Sequence, residues 1–396
     1  MTSTKPFSIV PAGASQKPTP FELHISDQKL HDFRTLLKLS PIAKETYENL
    51  RENGEFGVTH KWMVDAKRHW QDNFDWRKEE ECINALPNFK THIKDDDGEG
   101  YDIHFAALFS SKPDAIPIAF LHGWPGSFLE FLPLMEHLKK KHKSDDFPYH
   151  IIAPSLPGYA LSSDPPHDKN WTTIETGRLI HKLMLSLGFG KNGYLVQGGD
   201  IGSMVSRVMA ATYDECKGMH LNFMLNVGIK DKASDDDKIT EQEKNGLKRM
   251  DEFFAKGRAY ANEHGTKPAT IGFVMASSPI AQLAWIGEKF LAWSDPRTTP
   301  SLDTILADIT LYWLTECFPT TIYTYRQEKK MDIVNKPSGY SYFPYELAPI
   351  PQAWAAKSCD LVFFKSHDKG GHFAALERPE ILWGDVEEWV KIAWKA

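Results

Sequence analysis

The sequence predicts an α/β fold in which a mostly parallel central sheet with crossover helices is preceded by an N-terminal arm and interrupted by an inserted helical cap. Three observations carry this. Ile116 to Leu121, bounded by Pro117 and Gly123, Tyr149 to Ala153 and Tyr194 to Gln197 are short apolar runs of strand length, the profile of strands buried on both faces. Between the second and third, Ile180, Leu183, Met184 and Leu187 recur at i, i+3, i+4, i+7 and stop at Gly188, which marks a helix. Strand, helix, strand in that order calls for a parallel sheet. Strand character then returns at Tyr340 to Tyr345 and at Leu361 to Phe364, so the sheet closes after a long helical stretch.

Taken in order, residues 1–105 form the arm and the first sheet strands. Trp62, Trp70, Phe74 and Trp76 fall at spacings that suit a helical face, and a charged loop runs from Lys94 to Glu99. Residues 106–225 make the first part of the core. Residues 226–339 form the cap, which starts with the polar stretch Lys230 to Lys244 containing Asp235, Asp236 and Asp237 and continues into helical segments around Trp285, Trp293 and Trp313. Residues 340–396 complete the core. A chain of 396 residues suits two domains or one core with a large insertion.

Composition narrows the function classes. Hydrophobic residues at 41% and charged residues at 25% fit an ordinary globular protein rather than a disordered or membrane one. A net charge of −7 and a pI near 6.2 give no basic footprint for nucleic acid or anionic lipid. Cys82, Cys216, Cys317 and Cys359 lie far apart with no CxxC or metal-finger spacing, so free buried thiols and no metal site are expected. The N-terminus, polar and proline-dotted from Met1 to Pro20, lacks the charged start and apolar run of a signal peptide, and no run is long enough for a membrane helix. The expected location is the cytoplasm.

The strongest local signal is Gly198-Gly199-Asp200-Ile201-Gly202-Ser203, which follows the strand Tyr194 to Gln197 and should open a helix. It has the form of a nucleophile elbow, where small neighbours are needed because the nucleophile sits on a sharp turn. Asp stands where esterases carry Ser, and no G-x-S-x-G occurs in the chain. A carboxylate is ionised at pH 7 and can attack an sp3 carbon without a base. This places the core in the α/β-hydrolase fold. Taken alone, Gly-Gly-Asp-x-Gly is also an ordinary turn with a helix cap. Gly188 to Gly193 spells G-x-G-x-x-G, but it ends a helix and precedes a strand, the reverse of a dinucleotide-binding turn.

His122-Gly123-Trp124-Pro125-Gly126-Ser127 follows the strand Ile116 to Leu121, and the amides of Trp124 and Ile201 are candidates to converge on one oxygen as an oxyanion hole. His372, in Gly370-Gly371-His372-Phe373 after the strand Leu361 to Phe364, is the candidate base among sixteen histidines, because nucleophile, acid, His is the chain order of this fold. Glu346, after Tyr342-Phe343-Pro344-Tyr345, is the candidate acid, with Asp360 and Asp368 as competitors.

At these residues the sequence resembles the microsomal-type epoxide hydrolases, particularly their soluble fungal members, through essentially the whole chain. The motifs that carry the resemblance are Trp70 to Arg77, Tyr101 to Phe105, the His122 to Pro125 loop, the Gly198 to Ser203 elbow and Gly370 to Pro379. It implies that Asp200, His372 and Glu346 are the catalytic triad and that two cap tyrosines, Tyr260 and Tyr325, donate hydrogen bonds to the epoxide oxygen, with Tyr323 two residues from the second. It further implies a covalent hydroxyalkyl ester on Asp200, hydrolysed by water that His372 and Glu346 activate, and a homodimer. No metal or cofactor is required by this chemistry, no membrane anchor is expected, and the partners are water and an epoxide, expected to be apolar or aryl from the aromatic cap. Two rivals use the same scaffold: a haloalkane dehalogenase that alkylates the elbow Asp, and a catalytically silent fold that binds a hydrophobic ligand.

Overall fold

Among the described residues nine strands form one sheet: β1 (Thr19–Phe21), β2 (Asn88–Lys94), β3 (Gly100–Leu108), β4 (Ile116–Leu121), β5 (Tyr149–Pro154), β6 (Tyr194–Gly198), β7 (Cys216–Leu221), β8 (Val334–Tyr342) and β9 (Cys359–Ser366). The structure is a computed structural model and describes residues 5–52, 54–225, 239–327 and 332–395. Met1 to Thr4 and Asp235 to Asp237, singled out in the sequence, lie outside the described residues. The strand order is β1-β2-β3-β5-β4-β6-β7-β8-β9. β1, β2, β3 and β5 pair antiparallel in turn; from β5 to β9 every pairing is parallel.

The parallel half explains the apolar runs. β4, β5 and β6 are covered on both faces, and Ile118, Ala119, Phe120, Leu121, Ile151, Ile152, Leu195 and Val196 are all fully buried, as crossover helices on each side require. The helices are α1 (Asp27–Leu39), α2 (His60–Asp72), α3 (Trp76–Asn84), α4 (Leu132–Lys141), α5 (Thr173–Ser186), α6 (Asp200–Thr212), α7 (Glu241–Glu252), α8 (Ala259–Thr266), α9 (Pro268–Ala276), α10 (Pro279–Trp293), α11 (Leu302–Thr315), α12 (Phe318–Thr321), α13 (Gln352–Ala355), α14 (Ala374–Glu377) and α15 (Pro379–Ala393). The expected crossover helix is α5. It opens on a capping box between Thr172 and Glu175 and buries Ile180, Leu183 and Met184, the reciprocal bonding that satisfies the orphan amides of a helix start.

Helices α7 to α12 lie between β7 and β8 and make the insertion above the sheet. The arm fastens them. Trp70 is buried on α2 and its Nε1–H donates to Thr310 Oγ1 of α11 at 2.9 Å, while α1 and α2 pack on α10. A buried tryptophan of this kind carries about 3–5 kcal/mol against truncation to alanine.

Two expectations need correction. β8 starts at Val334 and ends at Tyr342, not at Tyr340 to Tyr345, so six residues of strand lie inside the span assigned to the insertion. Asn335, Lys336, Pro337, Ser338 and Gly339 carry no apolar pattern, and the strand exists there because β7 and β9 pair with it on both sides. Cys82 is exposed, whereas Cys216, Cys317 and Cys359 are buried free thiols.

Candidate active site

β6 ends at Gly198 and α6 begins at Asp200, whose φ is +43°. A non-glycine residue in this left-handed region is strained, and the strain turns the carboxylate out of the sheet end. Close packing beneath it requires Gly202, where a Cβ would collide with the Leu121 carbonyl oxygen of β4. The adjoining strand end supplies the next part of the site. After Leu121 the chain turns through His122-Gly123-Trp124 into a cis Trp124–Pro125 peptide, and the Trp124 N–H donates to Asp200 Oδ1 at 2.8 Å. The Ile201 nitrogen is beside that oxygen: a side chain on Gly123 would strike both. His122 is not part of this contact. Its Nε2 accepts from the Leu156 amide at 3.1 Å, and burial lowers its pKa to about 4, so it stays a neutral acceptor that pins the loop.

His372 reaches Asp200 from the other side. Its Nε2 is 3.3 Å from Asp200 Oδ2 and its Nδ1 2.6 Å from Glu346 Oε1. The His372 and Glu346 side chains are withdrawn from water, 2% and 0% exposed, whereas that of Asp200 is 15% exposed. The loop that carries His372 is clamped at several points: its amide donates to the Trp293 carbonyl at 3.0 Å, the Gly370 amide to Asp295 Oδ2 at 2.9 Å, and the Phe373 amide to Glu377 Oε1 at 3.1 Å. Tyr345 and Gly371 form an isolated parallel bridge, which brings the Glu346 and His372 loops together. The Arg249 Nε–H of α7 donates to the Glu346 carbonyl at 2.9 Å. Burial opposes protonation of His372, but the Glu346 and Asp200 carboxylates outweigh it and raise the imidazole well above its ordinary range. Both carboxylates thus favour the protonated imidazole.

Opposite the elbow, the cap contributes two phenols. Tyr260 on α8 stacks on the Trp124 indole with ring centres 5.2 Å apart, and Tyr325 meets the same indole edge-on at 5.9 Å. The two tyrosine rings lie 5.8 Å apart. Burial first, and then the Asp200 charge, push the Tyr260 hydroxyl above the ordinary phenol range; Tyr325 is pushed the same way by burial, Tyr260 and Asp200. Both remain O–H donors. They line one cavity of about 60 Å³ with Asp200, Ile201, Met204, Phe223, Phe253 and Leu347 among its other walls. Tyr323 faces away, with its hydroxyl 2.8 Å from Thr176 Oγ1. The pair Tyr323 and Tyr325 sits on a single 3-10 turn, Tyr323–Arg326, where two residues apart means facing different ways.

Comparison with known proteins fits this geometry. Residues 18–131 match the family model of the epoxide hydrolase N terminus, and residues 116–314 that of the alpha/beta hydrolase fold. A relative from Dothistroma septosporum is 42% identical over 98% of this chain and 93% of its own length. The epoxide hydrolase of Aspergillus niger superposes with a TM-score of 0.93 at 46% identity, covering 98% of this chain and 100% of that one. Epoxide hydrolase 1 of Oryctolagus cuniculus is 30% identical over 94% of this chain and 88% of its length. This chain belongs to the epoxide hydrolase family.

Of the residues singled out from sequence, this epoxide hydrolase brings together Asp200, His372, Glu346, Trp124, Ile201, Tyr260 and Tyr325. The competing carboxylates Asp360 and Asp368 are exposed and belong to no part of the site. Sequence reasoning missed Glu130, which lines a second cavity against Asp200, and Asp308, whose Oδ1 accepts from Ser127 Oγ at 2.6 Å. Each had a signal: Glu130 interrupts Phe128-Leu129-Glu130-Phe131-Leu132, and Asp308 interrupts Ile305-Leu306-Ala307-Asp308-Ile309. A carboxylate inside an apolar run is a buried acid that needs a reason. Among the described residues no group of His, Cys, Asp and Glu has the arrangement of a metal site, and no single helix is long and apolar enough to cross a membrane.

Proposed function

We propose that this epoxide hydrolase works in two covalent steps centred on Asp200. Asp200 Oδ2 attacks one epoxide carbon from behind the breaking C–O bond, and Tyr260 and Tyr325 donate to the departing oxygen. A hydroxyalkyl ester results, and the opened oxygen takes the proton that His372 holds, which leaves the imidazole neutral. Water then attacks Cγ of Asp200 while His372 Nε2 removes its proton, and the charge that develops on Oδ1 is met by the Trp124 and Ile201 amides. Collapse breaks the bond from Cγ to the alkyl oxygen. The expelled alkoxide takes the proton of the carboxylic acid just formed, which releases the diol and leaves Asp200 as carboxylate with His372 protonated, as at the start.

The observation that carries this reading is the division of labour between the two Asp200 oxygens. Oδ1 already accepts a backbone N–H at 2.8 Å, where an oxyanion would need one, while Oδ2 faces the imidazole at 3.3 Å. The phenols support epoxide opening because a strained ether oxygen needs a hydrogen-bond donor that is still protonated at neutral pH. The walls favour an apolar or aryl epoxide: Met204, Phe223, Leu225, Phe253, Phe254 and Leu347 line the cavity.

The test is intact-mass and peptide analysis of His372→Ala after exposure to aryl and aliphatic epoxides, with diol formation by the wild type followed alongside. The expected result is one epoxide mass on Asp200 in the variant and diol from the wild type. Absence of both across the panel overturns the reading and favours a dehalogenase or a silent binder.

A further inference from the structure

Asp200 also borders a second, smaller cavity of about 10 Å³, lined by His372, Glu130, Asn222, Gly123 and Phe373 among others; among the described residues Asp200 is the only one it shares with the substrate cavity. A space of this size holds about one water, provided polar groups surround it. The polar side chains at hand are Asp200, His372, Asn222 and Glu130, with His122, whose Nε2 accepts from the Leu156 amide, and Trp124, whose Nε1–H has no partner among the described residues. The first two are paired with each other and His372 with Glu346, and Asn222 Oδ1 accepts from Gln197 Nε2 at 2.8 Å. Glu130 differs. It stands on the 3-10 turn Phe128–Phe131, half-buried at the cavity wall, and no described residue forms a hydrogen bond with its carboxyl.

We infer that Glu130 is a positioning residue for the hydrolytic water, which it and His372 hold against the face of Asp200 turned away from the substrate cavity. The inference rests on the two-step reading above. Ester hydrolysis needs a water that can reach Cγ of Asp200 and His372 Nε2 while the alkyl group still occupies the substrate side, and the second cavity is a space that meets both demands. One O–H of the water points to His372 Nε2 and the other to the Glu130 carbonyl oxygen, which leaves a lone pair for Cγ. The water oxygen forms the new bond to Cγ, its proton goes to Nε2, and the bond to the alkyl oxygen breaks. Burial, and then the neighbouring Asp308, raise the Glu130 carboxyl well above the usual carboxylate range. Glu130 in its neutral form is an acceptor through its carbonyl and adds no charge that would repel the nucleophile or the oxyanion.

The experiment is single-turnover quench-flow with styrene oxide, following ester formation and ester loss by intact mass in wild type, Glu130→Met, Glu130→Gln and His372→Ala, with circular dichroism as a check on folding. Methionine keeps the volume and removes both hydrogen-bonding oxygens, so it tests the role without opening a cavity. Glu130→Met is expected to form the ester within about threefold of the wild-type rate and to lose it on the order of a hundredfold more slowly, the range of a lost general-base arrangement. Glu130→Gln keeps a neutral carbonyl acceptor and is expected to recover at least about tenfold of that loss. Ester loss from Glu130→Met within about threefold of wild type overturns the inference, as does equal slowing of both steps in the two variants. Failure of the underlying reading looks different: no ester forms on Asp200 even in His372→Ala.

Discussion

On the proposed two-step sequence, replacing Glu346 by glutamine isolates the second chemical step. Glu346 Oε1 lies 2.6 Å from His372 Nδ1, both side chains are out of water, and the same oxygen also accepts the Leu347 amide at 2.6 Å. The amide keeps the shape of the side chain and removes its charge. Two unit charges about 4 Å apart at an effective dielectric near 20 attract by about 4 kcal/mol, and the amide dipole retains part of this, so the imidazolium formed as water is deprotonated loses about 3 kcal/mol. Ester hydrolysis should then slow on the order of a hundredfold. Epoxide opening creates no new charge on His372, so ester formation should stay within about threefold. Rapid-quench mass measurement of the Asp200 ester reads both rates in one experiment, and ester should accumulate in Glu346→Gln where wild type shows little. The pH dependence adds a sign. Hydrolysis requires neutral His372, and removing a carboxylate lowers its pKa, so the rising limb of the hydrolysis rate should move to lower pH in the variant. Equal slowing of both steps, or a limb that moves to higher pH, refutes the assignment.

Two further outcomes follow from the geometry. Tyr260→Phe and Tyr325→Phe should each slow ester formation on the order of a hundredfold, as loss of one preorganised donor does, without changing the decay of ester once formed; burst kinetics with an aryl epoxide separates the two, and slower decay would place the phenols in the wrong step. At the far edge of the sheet, Arg178 holds Asp95 through bonds of 2.8 and 2.7 Å, with Lys182 at 3.3 Å, and lowers the Asp95 carboxyl to about 2. A depressed carboxyl stabilises the fold above its unfolded pKa near 3.9 and loses that contribution as pH falls towards the folded value. With both cations at the edge of water the contribution is about 1 kcal/mol, so Asp95→Asn should lower the melting temperature at pH 7 and narrow its gap to wild type between about pH 4 and pH 2; an unchanged gap across that window argues against the pair.

How much of this was legible from sequence depended on whether the signal was local. β4, β5 and β6 announce themselves because a strand buried on both faces must be apolar throughout. β2 does not: Asn88, Lys90, Thr91 and His92 leave only a broken alternation, and its pairing with β3 and β1 decides the matter. Asp200 and His372 were readable because the elbow and the histidine loop demand glycines at fixed offsets. Glu346 was not separable from Asp360 and Asp368 by residue type, since choosing among three carboxylates requires knowing which one the Tyr345–Gly371 bridge carries inward. The choice of Tyr325 over Tyr323 likewise depends on a 3-10 turn that no periodicity in the sequence shows.

The electrostatics of the site connect these residues into one cycle. Burying a charge is costly unless it is paired, yet Asp200 and Glu346 flank a single imidazole, while Asp308 beyond them has its carboxyl pushed up to about 7 by burial. In the resting site the two carboxylates that face His372 favour its protonated form. On the proposed sequence of steps, esterification neutralises Asp200 and leaves Glu346 alone to support the imidazolium. His372 then gives up its proton more readily, at the moment when the opened epoxide oxygen needs one and when the next step needs a neutral base. Hydrolysis restores the Asp200 carboxylate, and with it the second negative charge that makes His372 keep the proton it has just taken from water. The alternation between base and cation requires no outside proton donor, because the charge that sets the affinity of His372 for a proton is the same charge that the substrate removes and water returns.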